Sequence, residues 1–213
     1  KDSLHKYFPN RYNKDKVFLI GSPKFDKHYK YLNKNRFITK LGICSTLSLK
    51  KEQVIALIQQ IQNRIPSIEI ILRPHPAEFI KGIFQVNESL TNVSISNSLK
   101  EDSFYYLRNV DAIISGNSSI LLEASMMNVF PIFWNDNQSI AKYNDNPADK
   151  YDFIKNDLAS PCDSIAEIID CLEKFKEKKP NVRNNASFYI ENINTDWDGN
   201  SSNYAATIIK SNI

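Results

Sequence analysis

Two short apolar runs end abruptly in polar or proline-locked stretches. Ile68-Glu69-Ile70-Ile71-Leu72 stops at Arg73-Pro74-His75-Pro76, and Asp111-Ala112-Ile113-Ile114 stops at Ser115-Gly116-Asn117-Ser118-Ser119. Runs this brief and rich in β-branched residues have the character of buried strands. The second loop passes at once into a helical stretch, Ile120-Leu121-Leu122-Glu123-Ala124-Ser125. With both strands in one parallel sheet, both loops open at its carboxyl edge, where open α/β sheets bind ligands.

The rest of the chain repeats this alternation. Phe37–Cys44 reads as the first strand of the sheet, followed by a polar turn, Ser45-Thr46-Leu47-Ser48, with Ser48 as helix N-cap. The spacing then predicts a helix over Lys50–Asn63 whose stripe is Val54, Leu57, Ile58 and Ile61. Val93–Ser96 is a weaker strand, and Ser103–Asn109 a short helix with Phe104 and Leu107 inward. Ser118–Asn128 is the helix after the second loop, and Val129–Trp134 the fifth strand. Positions 135–149 form a polar loop. A further helix starts at Asp163-Ser164 with Ile165, Ile168, Ile169 and Leu172 as its stripe, and Tyr204–Lys210 closes the chain. Upstream, Lys16–Ile20 reads as a strand stopped by Gly21-Ser22-Pro23, and Lys27–Lys34 as a solvated helix face. Strand–helix alternation predicts an α/β fold: a Rossmann-like parallel sheet flanked by helices, with right-handed crossovers, over residues 37–213. Residues 1–36 read as a lead-in segment.

Composition removes several classes of function. Of 213 residues, 42% are hydrophobic and 24% charged, as in an ordinary globule. A net charge of +3 without a basic stripe argues against nucleic acid as a partner. Three cysteines without metal spacing fit a reducing, cytoplasmic setting, and three histidines give little from which to build a zinc site. No run is long and apolar enough to cross a membrane. The chain opens at Lys1 without an initiator Met, so the expectation is a piece of a longer protein.

His75 is the sharpest chemical candidate. The flanking prolines restrict the backbone around it, so its imidazole can be aimed at a ligand with little entropy to lose. There it can donate to a phosphate oxygen and neutralise a leaving phosphate, with Arg73 as a bidentate partner. The plainer reading is a histidine satisfied at a strand end. Ser118 and Ser119 sit at a helix start, where backbone N–H groups lack partners and the dipole favours anions; Gly116 lets the backbone approach closely. Ordinary capping by Asn117 or Ser118 explains the same residues without a ligand. Glu123 lies one turn beyond Ser119, placed either for ribose hydroxyls or for solvent.

These residues carry a resemblance. Arg-Pro-His-Pro after a strand, Ile114-Ser115-Gly116-Asn117-Ser118-Ser119-Ile120-Leu121-Leu122-Glu123-Ala124, and Pro131-Ile132-Phe133 together resemble the C-terminal, donor-binding domain of GT-B glycosyltransferases. The His-Pro and Ser-Ser pairs are similar to those of bacterial sialyltransferases, of capsule and lipopolysaccharide Kdo transferases, and of polymerases using CDP-glycerol or CDP-ribitol. Gly21–Asp26 resembles the crossing between the two domains of such enzymes, and Trp197-Asp198-Gly199-Asn200-Ser201-Ser202 the start of their final helix.

The resemblance implies that His75 acts at the leaving phosphate and that Arg73, Gly116, Asn117, Ser118, Ser119 and Glu123 bind the nucleotide. It implies no metal and no cofactor, the nucleotide-sugar being the substrate. It further implies a glycan acceptor bound through an N-terminal domain that this chain lacks, inactivity of the fragment alone, and work in the cytoplasm or at the cytoplasmic face of the inner membrane. Gly-Asn-Ser-Ser in place of an aspartate-rich motif turns the expectation from polyol phosphates toward sugars, CMP-Kdo or CMP-sialic acid first. The alternatives are a CDP-glycerol or CDP-ribitol phosphotransferase, a UDP-sugar transferase or epimerase, and a non-catalytic α/β interaction module.

Overall fold

The computed structural model describes residues 14–18, 20–46, 49–84, 92–135, 154, 156–186 and 199–212. It divides into two units, Leu32–Ala186 and a smaller one made of Lys1–Tyr31 with Ser187–Ile213.

In the larger unit the apolar runs become strands β1 (Lys40–Cys44), β2 (Glu69–Arg73), β3 (Val93–Ile95), β4 (Ala112–Ser115), β5 (Phe130–Trp134) and β6 (Ser160–Cys162). They pair in parallel in the order β3-β2-β1-β4-β5-β6. The sheet grows outward from β1 in one direction and then, from β4, in the other. The gap between β1 and β4 is therefore the topological switch point of a Rossmann-like sheet. Helices α1 (Lys51–Arg64), α2 (Pro76–Ile80), α3 (Ser103–Leu107), α4 (Ile120–Met126) and α5 (Ile165–Phe175) connect or follow the strands.

Helix α1 forms because its stripe has somewhere to go. Val54, Leu57, Ile58 and Ile61 are all fully buried, in one cluster with Leu41, Ile43, Ile70 and Ile132. Each such side chain contributes about 1.5–3 kcal/mol on burial. Its N-terminal cap is Lys50, whose N–H donates to Gln53 Oε1 at 2.8 Å; Ser48, the expected cap, lies outside the described residues. Helix α5 starts as its sequence reads: Ser164 Oγ accepts from Glu167 N–H (3.2 Å), and Glu167 Oε2 accepts from Asp163 N–H (2.8 Å).

Strand β1 carries a glycine for a steric reason. A Cβ on Gly42 would lie 2.9 Å from Ile113 Cγ2 and closer still to the Tyr106 hydroxyl. Tyr106, on α3, is fully buried and donates to Ile71 O at 2.8 Å, so its ring passes beneath the bare strand.

The amino edge of the sheet is closed by a buried polar knot. Asp111 accepts from Thr39 N–H (3.0 Å), Thr39 Oγ1 (2.9 Å), Lys40 N–H (3.0 Å), Asn35 Nδ2 (2.6 Å) and Asn33 Nδ2 (3.3 Å). Burial works to raise its pKa, but the bonds from Asn35, Thr39 and Lys40 outweigh it and hold the carboxyl below its ordinary value. Nearby, Lys179 Nζ donates to Asn33 Oδ1 (2.8 Å) and Asn128 O (2.7 Å). Burial pulls this lysine down to about 8, against the pull of Asp111.

Three sequence expectations change. Lys14–Lys16 form a 3₁₀ turn and none of the described residues up to Ile20 is in a strand, so the expected strand over Lys16–Ile20 is absent from them. Residues 26–30 form turns, with Phe25 and His28 buried, where the sequence predicts a solvated helix face over Lys27–Lys34. Strand β6 was unread because Pro161 breaks its pattern; an edge strand tolerates the lost donor. The expected loop at 135–149 lies, beyond Asn135, outside the described residues.

In the smaller unit, helix α6 (Ser201–Ser211) is capped from afar. Asp26 Oδ1 accepts from Ser201 N–H (3.0 Å) and Oδ2 from Ser202 N–H (2.7 Å). Gly199, at φ +77°, makes the turn into it, and Tyr29 occupies the space a side chain there would need. The two segments that resemble the domain crossing and the final helix start are thereby bonded to each other.

Candidate nucleotide-binding edge

Register fixes where the two loops open. Cys44, the last residue of β1, stands opposite Arg73 on β2 and Ser115 on β4. With strands about 4.8 Å apart, Arg73 and Ser115 lie about 10 Å from each other across β1. The loops that begin after them therefore flank the end of β1 from both sides, at the switch point. Ser115 Oγ donates to Cys44 O at 3.1 Å and ties the two strand ends together.

His75 has φ −55° and ψ 142°, the extended geometry its following proline demands. It is also the N-cap of α2: its Nδ1 accepts from Ala77 N–H at 3.2 Å. An accepting Nδ1 carries no proton, so in the neutral ring the hydrogen sits on Nε2. Among the described residues nothing accepts from Nε2, and the ring is half-buried.

The backbone below the ring is held by a carboxylate. His75 N–H is shared between Ser45 Oγ (3.0 Å) and Glu78 Oε2 (3.0 Å), and the Ser45 hydroxyl donates to Glu78. Glu78 is only 6% exposed. It joins the loop after β1 to the loop after β2. Sequence reasoning passed over Glu78 and Ser45. Their one local signal is a carboxylate three residues after an N-cap, the spacing of a capping box.

Arg73 is occupied elsewhere. Its Nη1 donates to Ser96 Oγ (2.8 Å) and its Nη2 to Glu101 O (2.7 Å), and Glu101 Oε2 is 3.5 Å from Nη1. The guanidinium also stands over the Tyr106 ring, 5.1 Å from its centroid. It braces the chain between β3 and α3.

On the other loop Gly116 is buried, Asn117 and Ser119 are exposed and Ser118 is half-buried. Ser119 occupies the N-cap position of α4 with helical φ −59° and ψ −17°, and its side chain makes no capping bond. Ser118 Oγ receives only a long bond from Ile120 N–H, 3.5 Å. Asn117 is not the cap. Glu123, in the first turn of α4, is half-buried. The Cys44 thiol registers what surrounds the strand end. Burial pushes it up to about 12, a hydrogen bond with Tyr106 and the charge of Arg73 oppose this, and the Glu123 charge adds to it.

His75, Ser45 and Glu78 thus form one bonded group, and the loop that carries Ser118 and Ser119 leaves the neighbouring β4 on the other side of β1. Among the described residues no three His, Cys, Asp or Glu side chains group as a metal site, and no helix is long and apolar enough to cross a membrane.

No protein-family model and no curated protein matches the sequence. Solved structures do match the fold. The wall teichoic acid polymerase TagF, as its H444N form soaked with CDPG, superposes with a TM-score of 0.66 at 15% identity, covering 94% of this chain and 52% of TagF. The C-terminal domain of LpcC, a glycosyl transferase group 1 family protein from Francisella tularensis, gives a TM-score of 0.50 at 15% identity, over 74% of this chain and 94% of that domain. UDP-GlcNAc 2-epimerase from Neisseria meningitidis, bound to UDP-GlcNAc, gives 0.52 at 14% identity, over 88% and 47%. The chain spans most of the LpcC domain and about half of the other two. Its fold is the Rossmann-like half of a GT-B molecule.

Proposed function

We propose that this chain is the nucleotide-sugar donor half of a GT-B glycosyltransferase, serving a bacterial surface polysaccharide. The observation that carries the reading is the meeting of the His75 and Ser118–Ser119 loops on either side of the β1 end. Nε2–H of His75 donates to a phosphate oxygen of the leaving nucleotide. The Ser118 and Ser119 hydroxyls, with the N–H groups behind them, hold the same phosphate. Gly116 and Asn117 form the turn beneath it, and Glu123 accepts from the ribose. Arg73 acts at one remove, through Ser96, Glu101 and Tyr106. As the bond from sugar to phosphate breaks, negative charge collects on the phosphate, and these donors are aimed at it without a metal. The acceptor glycan and the general base belong to the other half of such a molecule, in the cytoplasm or on the inner membrane's cytoplasmic face.

CMP-linked sugars remain the first donor on the Gly-Asn-Ser-Ser motif. The structural likenesses to TagF with CDPG and to the UDP-GlcNAc epimerase favour CDP- and UDP-linked donors as the second reading. Calorimetric titration with CMP, CDP, UDP and their sugars separates them. The expected outcome is saturable binding of one nucleotide class, weakened about tenfold by His75→Ala and by Ser119→Ala, as loss of a charge-assisted hydrogen bond requires. Equal binding by both variants, or none at millimolar ligand, would refute the reading and leave a non-catalytic interaction module.

A further inference from the structure

The far edge of the sheet carries a second chemical feature, away from the switch point. Cys162 ends β6, and Cys171 lies on α5, which packs back over that strand. Both thiols line a cavity of about 380 Å³ together with Ser160 and Lys174. Cys162 is buried, Cys171 is half-buried, and neither is bridged. The two thiols are hydrogen-bonded to each other.

Their surroundings treat them unequally. The bond from Cys162 holds the Cys171 thiol below its ordinary value against the opposing effect of burial, and the Ser160 hydroxyl and the Lys174 charge act in the same sense. The bond given to Cys171, with burial and the charges of Glu167 and Asp163, pushes Cys162 up. One sulfur thus gives up its proton more readily beside the cavity, and the other holds its proton more firmly. A low-pKa, accessible thiol beside a second thiol is the arrangement that reacts with peroxides and then closes.

We propose that Cys171 and Cys162 are a peroxide-reactive dithiol, in which Cys171 is oxidised first and Cys162 resolves it. The Cys171 thiolate attacks one oxygen of a hydroperoxide, the O–O bond breaks, and the products are Cys171 sulfenic acid and hydroxide (or alkoxide). The Cys162 sulfur then attacks the sulfenic sulfur. The S–S bond forms as the S–O bond breaks, and the Cys162 proton leaves with the hydroxyl as water. Each cysteine sulfur loses one electron and the peroxide gains two.

Cys44 is an internal control, being buried at the end of the central strand β1 and absent from the cavity lining. The whole chain is treated with hydrogen peroxide near neutral pH, then its free thiols are titrated and its intact mass recorded. The expected result is loss of two of the three thiols and a product about 2 Da lighter. Cleavage at Glu167, which separates the two cysteines, should leave the fragments joined until reduced. Cys162→Ser should stop at a Cys171 sulfenic acid trapped by dimedone, and Cys171→Ser should lose the rapid phase. Oxidation of Cys171 no faster than Cys44, or wild-type oxidation without a Cys162–Cys171 bridge, overturns the proposal. The wild-type fragment map decides alone if a serine variant does not fold.

Discussion

Gly42→Ala tests the packing on which the candidate site stands. The new methyl would approach Ile113 Cγ2 to 2.9 Å and Tyr106 Cζ to 3.1 Å, and the hydroxyl more closely. Overpacking of this kind costs about 1–3 kcal/mol. If the ring moves aside, the bond from Tyr106 to Ile71 O is lost as well, for a further 1 kcal/mol or so. Removing a strand glycine returns about 0.5–1 kcal/mol of backbone entropy. The net cost is about 1–3.5 kcal/mol. Tyr106→Phe deletes the atom in closest conflict and alone costs about 1 kcal/mol. In that background Gly42→Ala should be felt only through Ile113 and the ring carbon. A double-mutant cycle by urea unfolding should therefore give a coupling of about 1–2 kcal/mol between the positions. Additivity to within about 0.5 kcal/mol would show that the hydroxyl is not what makes a glycine necessary in β1.

The amino-edge knot yields two predictions. Asp111→Ala strands the buried Asn33 amide and the more exposed donors of Thr39 and Lys40, and should cost about 1–3 kcal/mol by urea unfolding. Because the folded carboxyl is held below its ordinary value, the stabilisation is present above the ordinary carboxylate range and lost as pH falls through the folded value. The gap between wild type and variant should narrow accordingly in acid, and a constant gap would refute the assignment. Lys179 behaves in the opposite sense. Its folded value of about 8 lies below the ordinary lysine value of 10.5, so between them the unfolded chain binds more protons and stability should rise with pH. Relative to Lys179→Met, wild type should gain about 2–3 kcal/mol across that window. A fall would mean the lysine is held as a cation.

How far the sequence could be read depended on the range of the interactions. Helix α1 was legible to within a residue because Val54, Leu57, Ile58 and Ile61 repeat at the helical period and all reach the core. Strand β4 was legible because both faces are buried, which leaves an unbroken apolar run, and β2 because Ile70-Ile71-Leu72 is apolar, rich in β-branched residues and stops at Arg73-Pro74. Strand β6 is three residues long and contains a proline, and α2 is a single turn behind a histidine, so neither leaves a periodic trace. A glycine inside β1 could be read as a place of close approach, but not that Tyr106 is what approaches. The same limit separates His75 from its support: its prolines are adjacent in sequence, whereas Ser45 is brought to it by the pairing of β1 with β2.

Arg73 shows what that limit does to a chemical reading. Sequence places it two residues before His75, and an anion site makes a guanidinium attractive. The fold instead supplies Ser96, Glu101 and Tyr106 within its reach, and a carboxylate 3.5 Å away offsets its charge. On the proposed reading, what the carboxyl edge offers an anion is a set of positioned donors: Nε2–H of His75, the two serine hydroxyls and backbone N–H groups. Such donors gain strength from being held still more than from net charge. That is the physical role of the inward-turned groups. Glu78 fixes the His75 backbone to Ser45, Ser115 fixes β4 to β1, and Arg73 fixes the β3–α3 connection beside them. On the proposed reading, the charged residues of this edge hold the frame and the uncharged ones meet the phosphate.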